Sequence, residues 1–170
     1  MPTATPSEAW RDRAGFCAPD RAVAPSGPVT AGQVTLLLEL AQRTKLGHDL
    51  LAAFADRYAA FPRTAPAQTR ELTALRELLD RHGLADPSAG LGAGVFADPG
   101  VQARYDQCLA EGRTGRAAAL AVVRRAAAEV VRMLEDVLPG LAAPDVRQVC
   151  LHILLAAHRQ IRVAQAWSSH

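Results

Sequence analysis

The strongest constraint on this chain is an apolar period of three to four residues that recurs in separate stretches, each closed by proline or glycine. Over about 32–60, Leu36, Leu40, Gly47, Leu51 and Phe54 fall at helical spacing, and Pro62 follows as a stop. From about Pro66 to Arg81, Leu72, Leu75, Leu78 and Leu79 share one side, and Gly83 stands where a helix ends in a left-handed residue. A third stretch, about 114–138, is closed by Pro139-Gly140. The fourth begins at Ala143-Pro144-Asp145 and runs to about Trp167, with Val146, Val149, Cys150, Ile153, Ala157 and Ile161 on one face. Leu151, Leu154 and Leu155 make it apolar on a second side, the pattern of a helix with several neighbours. With no convincing strand, the spacing predicts an all-α protein of four long helices.

The connections are unequal. Short turns join the first helix to the second and the third to the fourth, whereas the second reaches the third through a Gly/Pro-rich linker and a short helix at 99–111. That helix opens on Asp98-Pro99, an N-cap followed by proline at the first helical position. Two antiparallel hairpins joined by a crossover over 84–98 account for the pattern, with Val95 and Phe96 as its anchors to the core. Residues 1–31 carry five prolines and scattered charges without a period, so they read as a disordered or loosely docked, flexible arm before a domain at 32–170, with Trp10 and Phe16 able to pin it down.

Composition narrows the class. At 170 residues and 49% hydrophobic content, one domain with a substantial core is expected. The net charge is +2, and 18 of the 19 basic residues are arginines accompanied by acids, with Lys45 the lone lysine. This is the composition of a GC-rich bacterial genome rather than a nucleic-acid footprint. Cys17, Cys108 and Cys150 form no CxxC pair, so neither a disulfide framework nor a thiolate zinc site is indicated, and a reducing compartment fits best. Nowhere do eighteen apolar residues run together, so a cytoplasmic protein without membrane contact is expected. "GLGAG" at 90–94 lacks the preceding strand and following Lys of a phosphate loop. Cys150 and His152 stand about 200° apart on a helix and make no catalytic pair. Arg116, Arg124, Arg125 and Arg132 read as a solvated face or partner surface.

"KLGHD" at 45–49, "LRELLDRHGLADPSAG" at 75–90, "GVFADPGVQARYDQ" at 94–107 and "PDVRQV" at 144–149 resemble a bacterial ferritin-like domain family of uncharacterised function. The resemblance covers about 35–165 and implies a ferritin-like four-helix bundle, whose relatives hold two iron or manganese ions between the helices. Such centres take a Glu from each of two helices and a Glu-x-x-His pair from each of the other two. The positions the resemblance assigns to those ligands are Thr44 on the first helix, Gln68 and Glu71 on the second, Ala127 on the third, and Leu151 and Gln160 on the fourth. One possible ligand survives, and no Glu-x-x-His occurs in the chain. The resemblance therefore implies the fold without its metal, no cofactor, and no di-iron oxidase or oxygenase activity.

Three residues remain as catalytic candidates: His48, Glu71 and His158. His48 reads first as a half-exposed partner of Asp49, His158 as a core or interface histidine, and Glu71 as an interior carboxylate with a raised pKa unless His48 or Arg43 meets it. The leading expectation is a metal-free domain that binds a protein partner or a small ligand in the vacated core, a homodimer through the bundle helices being one form of partner. The alternative is a metal-independent enzyme using the three candidates as acid–base groups, and a residual metal or haem site ranks below both.

Overall fold

The structure, a computed structural model, describes residues 24–59, 61 and 65–168, the side chains of 65–67 excepted. Trp10, Phe16, Cys17 and Pro62 lie outside the described residues. Five α-helices follow in order: α1 (Ala31–Arg57), α2 (Ala65–Arg81), α3 (Pro99–Gly112), α4 (Arg116–Val137) and α5 (Pro144–Ser168), with a 3₁₀ turn at Leu138–Gly140. No strand occurs among the described residues, so the protein is all-α.

Local chemistry starts and stops these elements. Thr30 and Gln33 form a capping box on α1, each side chain accepting from the other's N–H, at 3.2 and 3.0 Å. The Asp98 carboxylate accepts from the N–H groups of Gly100 and Val101 at 2.7 and 3.0 Å, with Pro99 behind it in the first turn of α3. Gly83 ends α2 at φ +65°, which lets Leu84 N–H return to Leu79 O at 2.9 Å.

The long helices pack in a ring in which α1 and α5 each touch α2 and α4, and the diagonal pairs have no close approach among the described residues. Leu37 and Leu40 of α1 join Leu134 and Leu138 in one apolar cluster, while Leu50 and Phe54 join Ala119 and Leu120 in another, so α1 and α4 run antiparallel. Between the two clusters, at mid-height, stand Thr44, Gln68, Glu71 and Gln160. The core is thus two apolar halves with a polar layer between them.

α3 lies outside the ring against α1 and α4 and buries Tyr105 and Cys108. It runs parallel to α1, since its start borders Leu46 and its last residue meets Phe54. A Cβ on Gly112 would lie 2.1 Å from Phe54 Cζ, so only glycine permits this approach. Tyr58 donates to Gly112 O at 2.7 Å and closes the same corner.

The crossover first passes α2, where Arg76 donates to Asp86 Oδ2 at 2.9 Å and to Ser88 Oγ at 3.2 Å. It then passes α1 and enters α3. Phe96 is buried against Tyr105, with ring centroids 5.4 Å apart, but Val95 is 49% exposed. The expected anchoring pair is therefore one anchor: neighbouring side chains of an extended segment point to opposite sides, so burying Phe96 turns Val95 outward. At the other end of the ring, residues 24–26 are fastened to α5: Ala24 N–H donates to Gln148 Oε1 at 3.0 Å, and Ser26 Oγ donates to Asp145 Oδ2 at 3.0 Å.

Candidate functional site

At mid-height, side chains from all four long helices line a partly open cavity of about 30 Å³, among them Thr44 and Gly47 of α1, Gln68 and Glu71 of α2, Ala127 and Val130 of α4, and Ile153, Ala157 and Gln160 of α5. Gln68 Nε2 donates to Gln160 Oε1 at 2.6 Å. Gln68 Oε1 and Thr44 Oγ1 are buried with no hydrogen-bond partner among the described residues. Burial pushes the Glu71 carboxyl up to about 7, against a smaller downward pull from the Arg159 guanidinium. A space of this size admits one or two water-sized groups.

Five of the six positions named from the resemblance, Thr44, Gln68, Glu71, Ala127 and Gln160, thus meet at one place. Leu151 does not. It is 38% exposed, and Ile153 and Ala157 take the inward places on α5. The inward face of α5 carries Val146, Val149, Cys150, Ile153 and Ala157, and Leu151 stands about 200° from Ile153. Leu155 points outward with it.

The three catalytic candidates are not assembled. His48 lines no part of the cavity; its Nδ1 is 3.0 Å from Asp49 Oδ1 and its Nε2 3.2 Å from Thr69 Oγ1. His158 is not interior: its half-exposed side chain reaches Glu135 of α4 at 3.5 Å, because it stands one residue past the buried Ala157. Neither His48 nor Arg43 meets Glu71; Arg43 pairs instead with Glu39 at 2.7 Å and Glu129 at 3.3 Å. Among the described residues, no three His, Cys, Asp or Glu side chains converge in a way that could hold a metal ion.

Sequence reasoning passed over a second polar cluster. Lys45 and Asp49, 3% and 5% exposed, form a buried ion pair one turn apart on α1. Lys45 Nζ also donates to Gly92 O at 2.9 Å and lies 4.4 Å from the centre of the Phe96 ring. Asp49 Oδ2 accepts from Gly94 N–H at 2.9 Å. From α3, Gln102 Oε1 accepts from Phe96 N–H at 2.9 Å and its Nε2 donates to Gly94 O at 3.0 Å. Burial acts to raise the Asp49 pKa, but hydrogen bonds from His48, Lys45 and Gly94 outweigh it and hold the carboxylate below its ordinary range. The lone lysine of the sequence therefore clamps the crossover, and its isolation among arginines was the available signal.

A matching clamp holds the opposite end. Asp145, 0% exposed, is 2.9 Å from His82 Nε2 and accepts from Ser26 and from the N–H of Val146, which together keep it ionised below its ordinary range against burial.

A second, more spacious concavity lies outside the ring. An open groove of about 720 Å³ runs between α1 and α4 below the start of α3, with Leu46, Val101, Ala126 and Met133 as its apolar part. Glu39, Asp98, Glu129 and Asp136 face Arg43, Arg104 and Arg132 around it, and Glu129 bridges Arg43 and Arg104. Of the expected arginine face, Arg132 borders this groove, Arg125 pairs with Glu111 at 2.6 Å, and Arg116 packs on Trp167, 5.5 Å from the ring centre. No helix is long and apolar enough to cross a membrane among the described residues.

The fold and its central layer define an all-helical domain with a crossover fastened at both ends. The chain belongs to the family described as uncharacterized protein domain DUF2202, which matches residues 33–159. In three dimensions it is similar to the crystal structure of hypothetical protein MJ0754 from Methanococcus jannaschii DSM 2661, with a TM-score of 0.81, 19% identity, and coverage of 87% of this chain and 86% of that one. At that identity the likeness speaks to the fold alone. No curated protein matches the chain.

Proposed function

We propose that this chain is a ferritin-like domain that acts by binding rather than by metal chemistry, with the groove between α1, α3 and α4 as its ligand surface. The ring of antiparallel helices with a long crossover supports the ferritin-like architecture. The observation that carries the binding role is the donor set at the centre. A di-metal centre takes about six carboxylate and imidazole ligands, whereas the described residues around the cavity offer one carboxylate, Glu71, beside the neutral oxygens of Thr44, Gln68 and Gln160. These residues do not fit a pair of iron or manganese ions. A central cavity of about 30 Å³ also leaves no room for a substrate, while the groove of about 720 Å³ has the size of a ligand site. The enzymatic alternative has less support, because His48 and His158 turn to Asp49 and Glu135 rather than to Glu71.

Elemental analysis of protein purified without chelator tests this reading. Well under one equivalent of iron, manganese or zinc is expected, with a melting temperature indifferent to chelator. A site filled at 1,000 times its dissociation constant contributes about 4 kcal/mol, so a true centre would announce itself on metal removal. Two equivalents of metal with large destabilisation on chelation would sink the proposal.

A further inference from the structure

The central cavity and the outer groove share a wall, since Arg43 and Ala126 line both. Arg43 spans that wall from α1, held by Glu39 and Glu129, with a side chain 39% exposed. Ion pairs this open to water hold weakly, and turning the guanidinium toward solvent would join the two spaces.

We infer that cavity and groove form one ligand site gated by Arg43, and that it takes an uncharged aliphatic alcohol with its hydroxyl in the cavity and its chain in the groove. The inference rests on the binding role proposed above and names its ligand class. Size sets the head group: a space of about 30 Å³ accepts nothing much larger than a hydroxyl or a water. Polarity selects it. Thr44 Oγ1 and Gln68 Oε1, on residues more than nine-tenths buried, lack partners among the described residues, and a hydroxyl can donate to Gln68 Oε1 while accepting from Thr44 Oγ1. Burial disfavours the charged alternatives. Glu71 faces the cavity from α2, Arg43 lines it from α1, and Arg159 of α5 acts on Glu71, whereas α4 contributes only Ala126, Ala127 and Val130. Arg43 at the lining opposes an ammonium head, and the burial that raises the Glu71 carboxyl works equally against an ionised carboxylate head, so a neutral head is favoured. Past Arg43, the aliphatic chain finds Leu46, Val101, Ala126 and Met133.

The test uses the full chain with 1-hexanol, hexylamine and hexanoate at equal millimolar concentrations, read by melting temperature and by NMR shifts of Gly47, Ala127 and Ile153. Saturable binding of 1-hexanol that moves those signals is expected, with both charged analogues at least about tenfold weaker. Thr44→Val keeps the side-chain shape, removes the hydroxyl, and should weaken hexanol about fivefold, the effect of one hydrogen bond. Arg43→Ala should speed association. A response that does not saturate, equal affinity in Thr44→Val, equal binding of a charged analogue, or shifts confined to the groove would each overturn the inference, and a cavity filled by water alone gives the first of these. Failure in protein free of metal removes only this ligand class, while metal in the purified protein removes the wider reading.

Discussion

Glu71 sits where burial works against its ionised form. Its carboxyl is raised from 4.5 to about 7, so the fold favours the neutral form. Below 4.5 both folded and unfolded states are protonated and nothing is lost; between 4.5 and 7 the unfolded state ionises first and stability falls; above 7 the penalty is complete. Discounted for the solvent that reaches this half-buried group, it is on the order of 2 kcal/mol. Glu71→Gln should therefore raise the melting temperature by about 4 °C or more at pH 8 and much less at pH 5. A pH-independent effect would contradict the burial argument. Lys45 is the opposite case, a buried charge with every partner in place. Lys45→Met strands Asp49 beneath the crossover and should cost about 3–5 kcal/mol, with much of it recovered when Asp49→Leu is added. Denaturant unfolding of the single and double variants reads both numbers.

At the scale of elements, the stretches that carry the family resemblance coincide with the fastenings of the crossover. Lys45 and Asp49 hold Gly92 and Gly94, Arg76 holds Asp86 and Ser88, Gln102 holds Phe96, and His82 meets Asp145. These side chains replace the regular backbone pairing that an irregular connection lacks. α3 depends on a further fit, the seating of Gly112 on Phe54. Gly112→Ala should force the ring or the helix aside and cost at least about 1–3 kcal/mol. Hydrogen exchange should show α3 and residues 92–96 loosening together while α2 and α5 keep their protection. Uniform loosening would mean that α3 is not a separable layer.

For the whole molecule, residues 24–27 are fastened to α5, through Ala24, Ser26 and Gly27 on Gln148 and Asp145. A chain starting at residue 24 and one starting at Val29 should therefore differ. The shorter one loses the Ser26 and Gly27 bonds to a buried carboxylate, each charge-assisted bond worth about 1.5–3 kcal/mol, and should melt at least about 5 °C lower. Equal melting temperatures would show that Asp145 gains nothing from this segment.

The number of helices, their ends at Gly83 and Asp98 and the crossover could be read from sequence, because periodicity, capping and spacing are local properties of the chain, whereas the central position of Glu71 was implied by the resemblance. The inward face of α5 could not. Apolar residues cover two sides of that helix, and only its neighbours decide that Ile153 and Ala157 turn inward while Leu151 and Leu155 face out. The same holds for His158, placed against Glu135 rather than in the core, and for Val95, turned out by the burial of Phe96. The clamp at Lys45 and the wall that Arg43 raises between cavity and groove also belong to the tertiary structure, since each joins residues far apart in the chain. Sequence sets which faces can be buried, and packing chooses among them.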